Sequence, residues 1–313
     1  RDFAAVTIAP MSVRIGYACI NTQLPSSNRT TRLDRATPER LLELTRANLS
    51  ALDTILRWNV ANGIGLFRIS SDVIPFGSHP VNTLRWWELL DGELAGLGEI
   101  IRAAGMRVSM HPGQYTVLNS NRPEVVHSSL VELEYHARFL DSLGLNPSHK
   151  IILHLGGVYG DKPASMARFV QNSGLLSPGA LGRLVLENDE RSYTLEDALW
   201  VSERAGCPVI FDVFHHGWKP SLPHLDLRGW IAAAGATWGA ADGRQKMHYS
   251  DPWPGKPVGS HSFSVDVEAF GRFYEQVRGL ELDVMLEVKD KEQSVLRLYE
   301  VYPELRVGEK HHE

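Results

Sequence analysis

The chain has 313 residues, 43% of them hydrophobic, and a formal net charge of −5. This length suits a single (β/α)8 barrel, and the lack of any run of ~20 apolar residues excludes a membrane-spanning helix. Cys19 and Cys207 stand far apart without a CxxC pair, which argues against a disulfide framework or a zinc ribbon and favours a reduced, cytoplasmic setting. A negative chain has no general attraction for nucleic acid, so a DNA partner would need a local basic surface.

Apolar stretches that suit strands alternate with helical stretches along the whole chain. Thr37 and Thr194 are predicted to cap helices, because acidic residues follow each of them within three positions. The predicted strands are 13–19, 64–69, 106–110, 150–155, 183–186, 208–211, 245–249 and 282–288. The predicted helices are 38–60, 86–104, 124–143, 162–171, 195–205, 225–234, 267–277 and 291–302.

This alternation predicts an α/β fold, a single (β/α)8 TIM barrel with parallel strands, over residues 13–305. Residues 1–12 are predicted to be a flexible N-terminal lead-in and residues 306–313 a C-terminal tail. An open doubly wound sheet is the alternative, but no GxGxxG motif follows the first strand.

Ligand-type side chains stand at or after the ends of most predicted strands. Because the C-terminal ends of barrel strands meet at one rim, we expect these side chains to converge. Imidazole and carboxylate together suit manganese, iron or zinc, and the set exceeds the needs of one ion, so it predicts two or three divalent ions. The predicted metal ligands are His79, His111, His154, Glu187, Asp212, His215, His248, His261 and Glu287.

Each of these side chains could also have a simpler structural role. A lone histidine at a strand end is usually only hydrogen-bonded, and the His215-His216 pair could belong to a solvated loop. Glu187 and Glu287 are harder to dismiss, because a carboxylate at the end of a buried strand needs a partner. The complete set of strand ends, rather than any one residue, therefore predicts the metal centre.

Lys246 lies two residues before His248, so both side chains of the predicted strand point the same way. An ammonium group offers donors only and would be repelled by clustered cations. Lys246 therefore either contacts a substrate phosphate or is modified to an anionic carbamate that can bind metal. The third alternative is a lysine on the polar face of the strand.

Eight motifs resemble, in order, those of the UV damage endonuclease family, and they span nearly the whole chain. They are RIGYACIN at 14–21, LFRISSDVIPFGSHP at 66–80, MHPGQY at 110–115, LHLGGVYGDK at 153–162, LENDE at 186–190, FDVFHH at 211–216, KMHYSD at 246–251 and LEVKDKE at 286–292. The resemblance implies a barrel like those of endonuclease IV and xylose isomerase, with a three-metal manganese site. It also implies incision of damaged double-stranded DNA immediately 5′ of cyclobutane pyrimidine dimers, 6-4 photoproducts and abasic sites, leaving a 3′-hydroxyl and a 5′-phosphate.

By the same resemblance, the nine ligand-type residues match the family's metal ligands, and Lys246 matches a lysine that the family can carry in carboxylated form. Tyr17, Gln114 and Tyr115 match its lesion-probing residues, and Asn21 lies near Tyr17; all four are expected on rim loops. Arg68 and Lys256 are expected on or near rim loops, where they could contact DNA phosphates. The expected catalytic residues are Glu187, Glu287 and Lys246, with the two glutamates as bridging carboxylates.

Other functions stay open at this point. A sugar isomerase could use the same barrel, although such enzymes rely more on carboxylates than on histidines. A damage-binding protein without catalysis would not need the full ligand set, and a zinc abasic-site endonuclease would lack the Gln114-Tyr115 pair. We expect a cytoplasmic monomer that acts at the nucleoid, with no obligate protein partner and no membrane contact.

Overall fold

Short apolar stretches form the strands of the structure, a computed structural model that describes residues 12–308. The strands pair in parallel in chain order, and the last closes on the first, which confirms the predicted TIM barrel. Residues 1–11 and 309–313, most of the predicted lead-in and tail, lie outside the described range. The strands are β1 Val13–Cys19, β2 Leu66–Ile69, β3 Arg107–Met110, β4 Lys150–His154, β5 Leu184–Glu187, β6 Val209–Asp212, β7 Gln245–Tyr249 and β8 Leu282–Leu286.

Helices cover the outside of the barrel, and both predicted caps are confirmed. The side chain of Thr37 accepts a hydrogen bond from the Arg40 amide, and Thr194 exchanges hydrogen bonds with Asp197. The predicted helix 86–104 is divided at Leu90. The helices are α1 Pro38–Ala61, α2 Trp86–Leu89, α3 Asp91–Ala103, α4 Pro123–Ser142, α5 Lys162–Ser173, α6 Pro178–Arg183, α7 Leu195–Ala205, α8 Val213–Trp218, α9 Leu227–Gly235, α10 Val267–Val277 and α11 Glu292–Val301.

Side chains from alternate strand positions fill the barrel, and the others pack against the helices. Two small apolar clusters from several strands lie apart from the large cluster shared by strands and helices. Gly16 allows β1 to approach β2, since a Cβ atom there would lie 1.9 Å from the carbonyl oxygen of Leu66. Packing continues past the predicted boundary at 305, because the Val307 amide donates to the Gly63 carbonyl at 2.9 Å. None of the helices within residues 12–308 is long and apolar enough to cross a bilayer.

A buried ion network closes the end of the barrel where the strands begin. Arg14 binds both carboxylate oxygens of Asp283, at 2.7 and 2.9 Å, and Arg107 donates to the same carboxylate at 2.8 Å. Arg244 lies 3.2 Å from Asp283 Oδ1. Burial favours the neutral form of Asp283, but the arginines outweigh it and hold the pKa of Asp283 below its usual value. Asp283 is therefore the anionic centre of this network.

Replacing Asp283 with asparagine should lower the free energy of unfolding by about 3–5 kcal/mol, because it leaves buried arginines without their counter-charge. The folded pKa lies below the unfolded one, so this contribution is complete above about pH 4 and is lost as the pH falls further. Denaturant unfolding at pH 7 and pH 3 measures both effects. Glu281→Gln is the control, because its exposed carboxylate pairs with Arg244 at 3.4 Å and should contribute under about 1 kcal/mol. Equal losses in the two variants would contradict the prediction.

Candidate metal centre

Four ligand-type residues from neighbouring strands meet at the C-terminal end of the barrel. Glu187 and Asp212 end β5 and β6, His248 lies on β7, and Glu287 directly follows β8. Their ligand atoms lie within 4.8 Å of one another and form one group that could hold an ion. A second group consists of His111, His154 and Glu187. Glu187 therefore belongs to both groups.

The two carboxylate oxygens of Glu187 face different groups. Oε2 lies 3.2 Å from His111 Nε2 and 3.5 Å from His154 Nε2. Oε1 lies 2.5 Å from His248 Nδ1. One buried side chain thus presents one oxygen to each side of the centre, as a bridging carboxylate would.

Arg68 lies in the strand predicted for it, but its side chain is buried inside the barrel rather than exposed near a rim loop. It belongs to β2, it is buried, and its guanidinium donates to Glu287 Oε1 at 2.5 Å. The same guanidinium nitrogen lies 2.9 Å from His248 Nε2. Arg68 is therefore held by the metal-ligand groups and is not free to contact DNA phosphates.

The remaining predicted ligands differ in their distance from the two ligand groups. His215 Nδ1 lies 3.6 Å from Asp212 Oδ2, and His261 Nε2 lies 3.7 Å from Glu287 Oε2, so both border the larger group. His79 is exposed, and its Nδ1 accepts a hydrogen bond from the Val81 amide at 3.1 Å. Among the described residues, His79 joins neither group.

Burial and close charges act in opposition on the acidic residues. Burial would raise the pKa of Glu187, but His248, His154 and hydrogen bonds outweigh it and hold this pKa well below its usual value. Burial raises the pKa of Asp212 to about 6, and the nearby charge of Glu187 adds to the effect while His215 opposes it. Burial would lower the pKa of His215, but the negative charge of Asp212 outweighs this effect and raises the pKa to about 9. Three carboxylates thus lie close together in the larger group, which favours the binding of cations.

Several ligand-type atoms have no hydrogen-bond partner within residues 12–308. Asp212 Oδ2, His154 Nδ1 and His261 Nδ1 are all buried and unpartnered. An unpaired buried polar atom costs about 1–3 kcal/mol, so the Asp212 carboxylate in the larger group calls for a further binding partner. The two Nδ1 atoms belong to rings whose Nε2 atoms face Glu187 and Glu287. The mixed imidazole and carboxylate donors fit divalent metal ions.

Lys246 is fully buried on β7, and its side-chain nitrogen has no hydrogen-bond partner among the described residues. A direct contact with a DNA phosphate is therefore wrong for this side chain. Burial, aided by the positive charge of Arg107, lowers the pKa of Lys246 well below its usual value. Burial inside the barrel thus favours the neutral amine form of this side chain over its ammonium form.

The predicted lesion-probing residues separate into a buried and an exposed pair. Tyr17 lies within β1, not on a loop; it is fully buried, and its hydroxyl donates to Asn59 at 2.8 Å. Asn21 is also buried and donates to the Tyr17 hydroxyl at 3.1 Å. The prediction that Tyr17 lies on a loop is therefore wrong, whereas Asn21 does lie on the loop after β1 but is buried there. The second pair, Gln114 and Tyr115, is exposed after β3, with 65% of Tyr115 accessible to solvent.

A cavity of about 360 Å³ lies beside the smaller metal-ligand group. His111 and His154 line one part of it, and Gln114, Glu190 and Arg191 line others. The cavity therefore connects the exposed loop after β3 with the ligand atoms of the centre.

Two contacts that support the metal-ligand residues involve side chains that were not predicted to belong to the site. The side chain of Asn188 exchanges hydrogen bonds with the Asp212 backbone at 2.9 and 3.0 Å, which ties β5 to β6 at the rim. Ser71 donates to the His111 carbonyl at 2.8 Å and itself lies 2.8 Å from Nε2 of buried His136. Asn188 follows Glu187 at a strand end and could have been found from the sequence, whereas the Ser71–His136 contact joins distant segments.

Comparisons with known proteins agree with the motifs. The family model described as UV-endonuclease UvdE matches residues 13–310. A UV DNA damage endonuclease of Clostridium perfringens is 41% identical over 289 residues, which cover 91% of this chain and 69% of that protein. One from Bacillus velezensis is 32% identical, covering 89% of this chain and 88% of the relative. A UV-damage endonuclease of Neurospora crassa is 33% identical, and the match covers 94% of this chain and 52% of that protein.

Among solved structures, a member of the same family matches far better in TM-score and sequence identity than a protein that shares only the fold. The crystal structure of SacUVDE matches with a TM-score of 0.88 and 41% identity, over 94% of this chain and 99% of that chain. A D-tagatose 3-epimerase-like protein matches with a TM-score of 0.55 and 14% identity, over 82% of this chain and 92% of that chain, which shows likeness of fold alone. The predicted family resemblance is confirmed: the chain belongs to the UV-endonuclease UvdE family and is an endonuclease.

Proposed function

We propose that the chain is a DNA repair enzyme that incises the backbone of damaged double-stranded DNA immediately 5′ of UV photolesions. Its substrates are cyclobutane pyrimidine dimers and 6-4 photoproducts, with abasic sites as a further substrate, and its products carry a 3′-hydroxyl and a 5′-phosphate. The observation that carries the proposal is the position of Glu187 between two groups of metal-ligand atoms. Phosphodiester hydrolysis commonly uses two ions that share a carboxylate in this way.

The centre would hold two or three divalent ions, with manganese as the metal. The smaller group and the larger group would each hold one ion, and His215 and His261, which border the larger group, are the residues left for a third. When bound, such ions supply an activated water and positive charge at the attacking and leaving oxygens. Arg68 keeps Glu287 in place through its 2.5 Å contact, and Asn188 fixes the backbone of Asp212.

Lys246 suits a carbamate better than it suits a phosphate contact or a place on a solvated strand face, because its side chain is buried. A neutral amine can add carbon dioxide and release one proton, and the lowered pKa of Lys246 favours that neutral form. The carbamate would replace an unpartnered amine with an anionic ligand-type group on the strand that carries His248.

The protein equilibrated with ¹³C-bicarbonate should therefore show a carbamate carbon signal by NMR, and Lys246→Met should lose it. The variant should fold at least as stably as the apo protein, because it removes a buried group without a partner. A spectrum of the native protein without this signal would contradict the modification.

The cavity beside the smaller group suits the recognition step. Crosslinked bases must leave the helical stack before their phosphate can reach a barrel rim. Gln114 and Tyr115 are exposed beside the cavity, so a ring and an amide are free to fill the gap in the duplex. We assign lesion probing to these two residues and not to Tyr17 or Asn21.

The test uses an end-labelled duplex with one cyclobutane dimer, beside undamaged and abasic duplexes, incubated with the protein and manganese. We expect one cut immediately 5′ of the dimer, none in undamaged DNA, and none after chelation. Cutting at the abasic site alone would contradict the photolesion substrate. The alternative of a sugar isomerase rests on likeness of fold alone. Conversion of a sugar without any DNA cleavage would favour that alternative.

A further inference from the structure

The loop after β7 forms a hairpin that we call the β7 finger, residues 251–263. Pro252 and His261 form an antiparallel bridge at its base. Above them the Trp253 amide donates to the Ser260 carbonyl at 3.0 Å, and below them the Ser262 amide donates to the Asp251 carbonyl at 2.8 Å. These backbone hydrogen bonds give the finger a defined shape.

The base of the finger belongs to the metal centre. His261 Nε2 lies 3.7 Å from Glu287 Oε2, and the Phe263 carbonyl accepts a hydrogen bond from the Asp290 amide at 2.8 Å. Gly259 packs against the loop after β5, since a Cβ atom there would lie 2.8 Å from Glu190 Oε1. The finger is thus fixed at one end to the predicted ligands, while residues 254–258 are exposed.

The finger exposes apolar side chains together with positive charge. Val258 is 54% exposed and Phe263 is 59% exposed, so one hairpin beside the metal centre presents two large apolar side chains to solvent. The Trp253 ring is half-buried and lies 6.3 Å from that of Phe263. Lys256 on the finger and Lys289 beside it are both exposed, and Lys256 Nζ lies 5.5 Å from the Trp253 ring. Apolar groups beside lysines match the bases and phosphates of nucleic acid.

The finger lies across the barrel mouth from the loop after β3. In a closed barrel of eight strands, β7 lies opposite β3, whose loop carries exposed Tyr115. The two exposed aromatic surfaces therefore stand on opposite sides of the barrel mouth, with the metal ligands between them.

We propose that the β7 finger is a second DNA-binding element. Val258 and Phe263 pack against unstacked bases on the side of the lesion away from Tyr115, while Lys256 and Lys289 bind phosphates. This inference rests on the proposed function, because it assumes a damaged duplex at the rim. The addition to that function is that the protein holds the duplex from two sides, with Tyr115 on one side and the finger on the other. Contacts from both sides keep the duplex bent across the metal centre.

The test measures binding of a fluorescent duplex with one cyclobutane dimer by anisotropy, in the presence of a chelator. Val258→Ala is compared with Val301→Ala, the same substitution at a valine 51% exposed in the last residue of α11 on the opposite face. We expect Val301→Ala to bind as the native protein does. We expect Phe263→Ala to weaken binding roughly tenfold or more, and Val258→Ala severalfold.

A salt titration adds an independent measurement. Lys256→Ala should reduce the slope of log affinity against log salt by about one, because one phosphate contact is lost. Metal content should stay at the native level in all of these variants. The inference is overturned if the finger variants bind as tightly as Val301→Ala, or if their weaker binding accompanies loss of metal. If the native protein itself neither binds nor cuts the damaged duplex, the proposed function fails and the inference falls with it.

Discussion

Replacing Glu187 with glutamine should remove metal from both ligand groups and lower incision at least about a thousandfold. The neutral amide takes away the anionic oxygens that face His111 and His154 on one side and His248 on the other. Without the ions, the transition state of hydrolysis loses several kcal/mol of charge stabilisation, which corresponds to a rate reduction of this size. The measurements are metal content by elemental analysis and the incision rate on the dimer-containing duplex.

Glu292→Gln is the matched control. Glu292 is also a fully buried carboxylate, but it accepts hydrogen bonds from Thr22 and lies outside both groups. It should keep its full metal content, whatever its effect on thermal stability. A Glu187→Gln protein that retains two ions and cuts at the native rate would disprove the bridging role.

The double variant Gln114→Ala/Tyr115→Ala should lower kcat/KM for incision by about a hundredfold while leaving metal content normal. Stacking of a base on an aromatic ring contributes about 1–3 kcal/mol, and a hydrogen bond from the amide about 0.5–1.5 kcal/mol more. Both side chains are exposed beside the cavity, so their removal leaves no void in the core. Steady-state kinetics and elemental analysis measure the two effects separately.

Two further variants make this result specific. Trp200→Ala removes a partly exposed ring from the outer surface of α7 and should cut at the native rate. Tyr115→Phe keeps the ring and removes only the hydroxyl, so it should keep most of the activity if stacking dominates. Loss of metal in the double variant would instead show that the loop only supports His111, which lies three residues before Gln114.

The barrel and most of the centre could be predicted because they depend on local periodicity. Alternating apolar residues marked the strands, and the parallel order then placed Glu187, Asp212 and Glu287 at one rim. Tyr17 shows where the motif comparison conflicted with that periodicity. It shares a strand face with Val13 and Ile15, and all three belong to the core that packs against the helices.

The missed features depend on contacts that are distant in sequence or on segments that are short. The sequence predicts no helix from 213 to 218, because six residues are too few to show helical periodicity. There the Asp212 carboxylate caps α8 by accepting from the His215 amide at 2.7 Å, which buries both His215 and His216. Arg68 could be placed on a strand but not paired with Glu287, since that contact crosses the barrel interior.

The closure of the barrel bears on when the enzyme can first act during its synthesis. β1 pairs with β8, so residues 13–17 find their partners at 282–286 only after all eight strands have been translated. Glu287 follows directly and completes the larger ligand group, whereas the smaller group needs nothing beyond Glu187. A chain that ends before β8 therefore lacks Glu287 and with it a member of the larger ligand group. The larger group thus depends on closure of the barrel, whereas the smaller group depends only on strands β3 to β5.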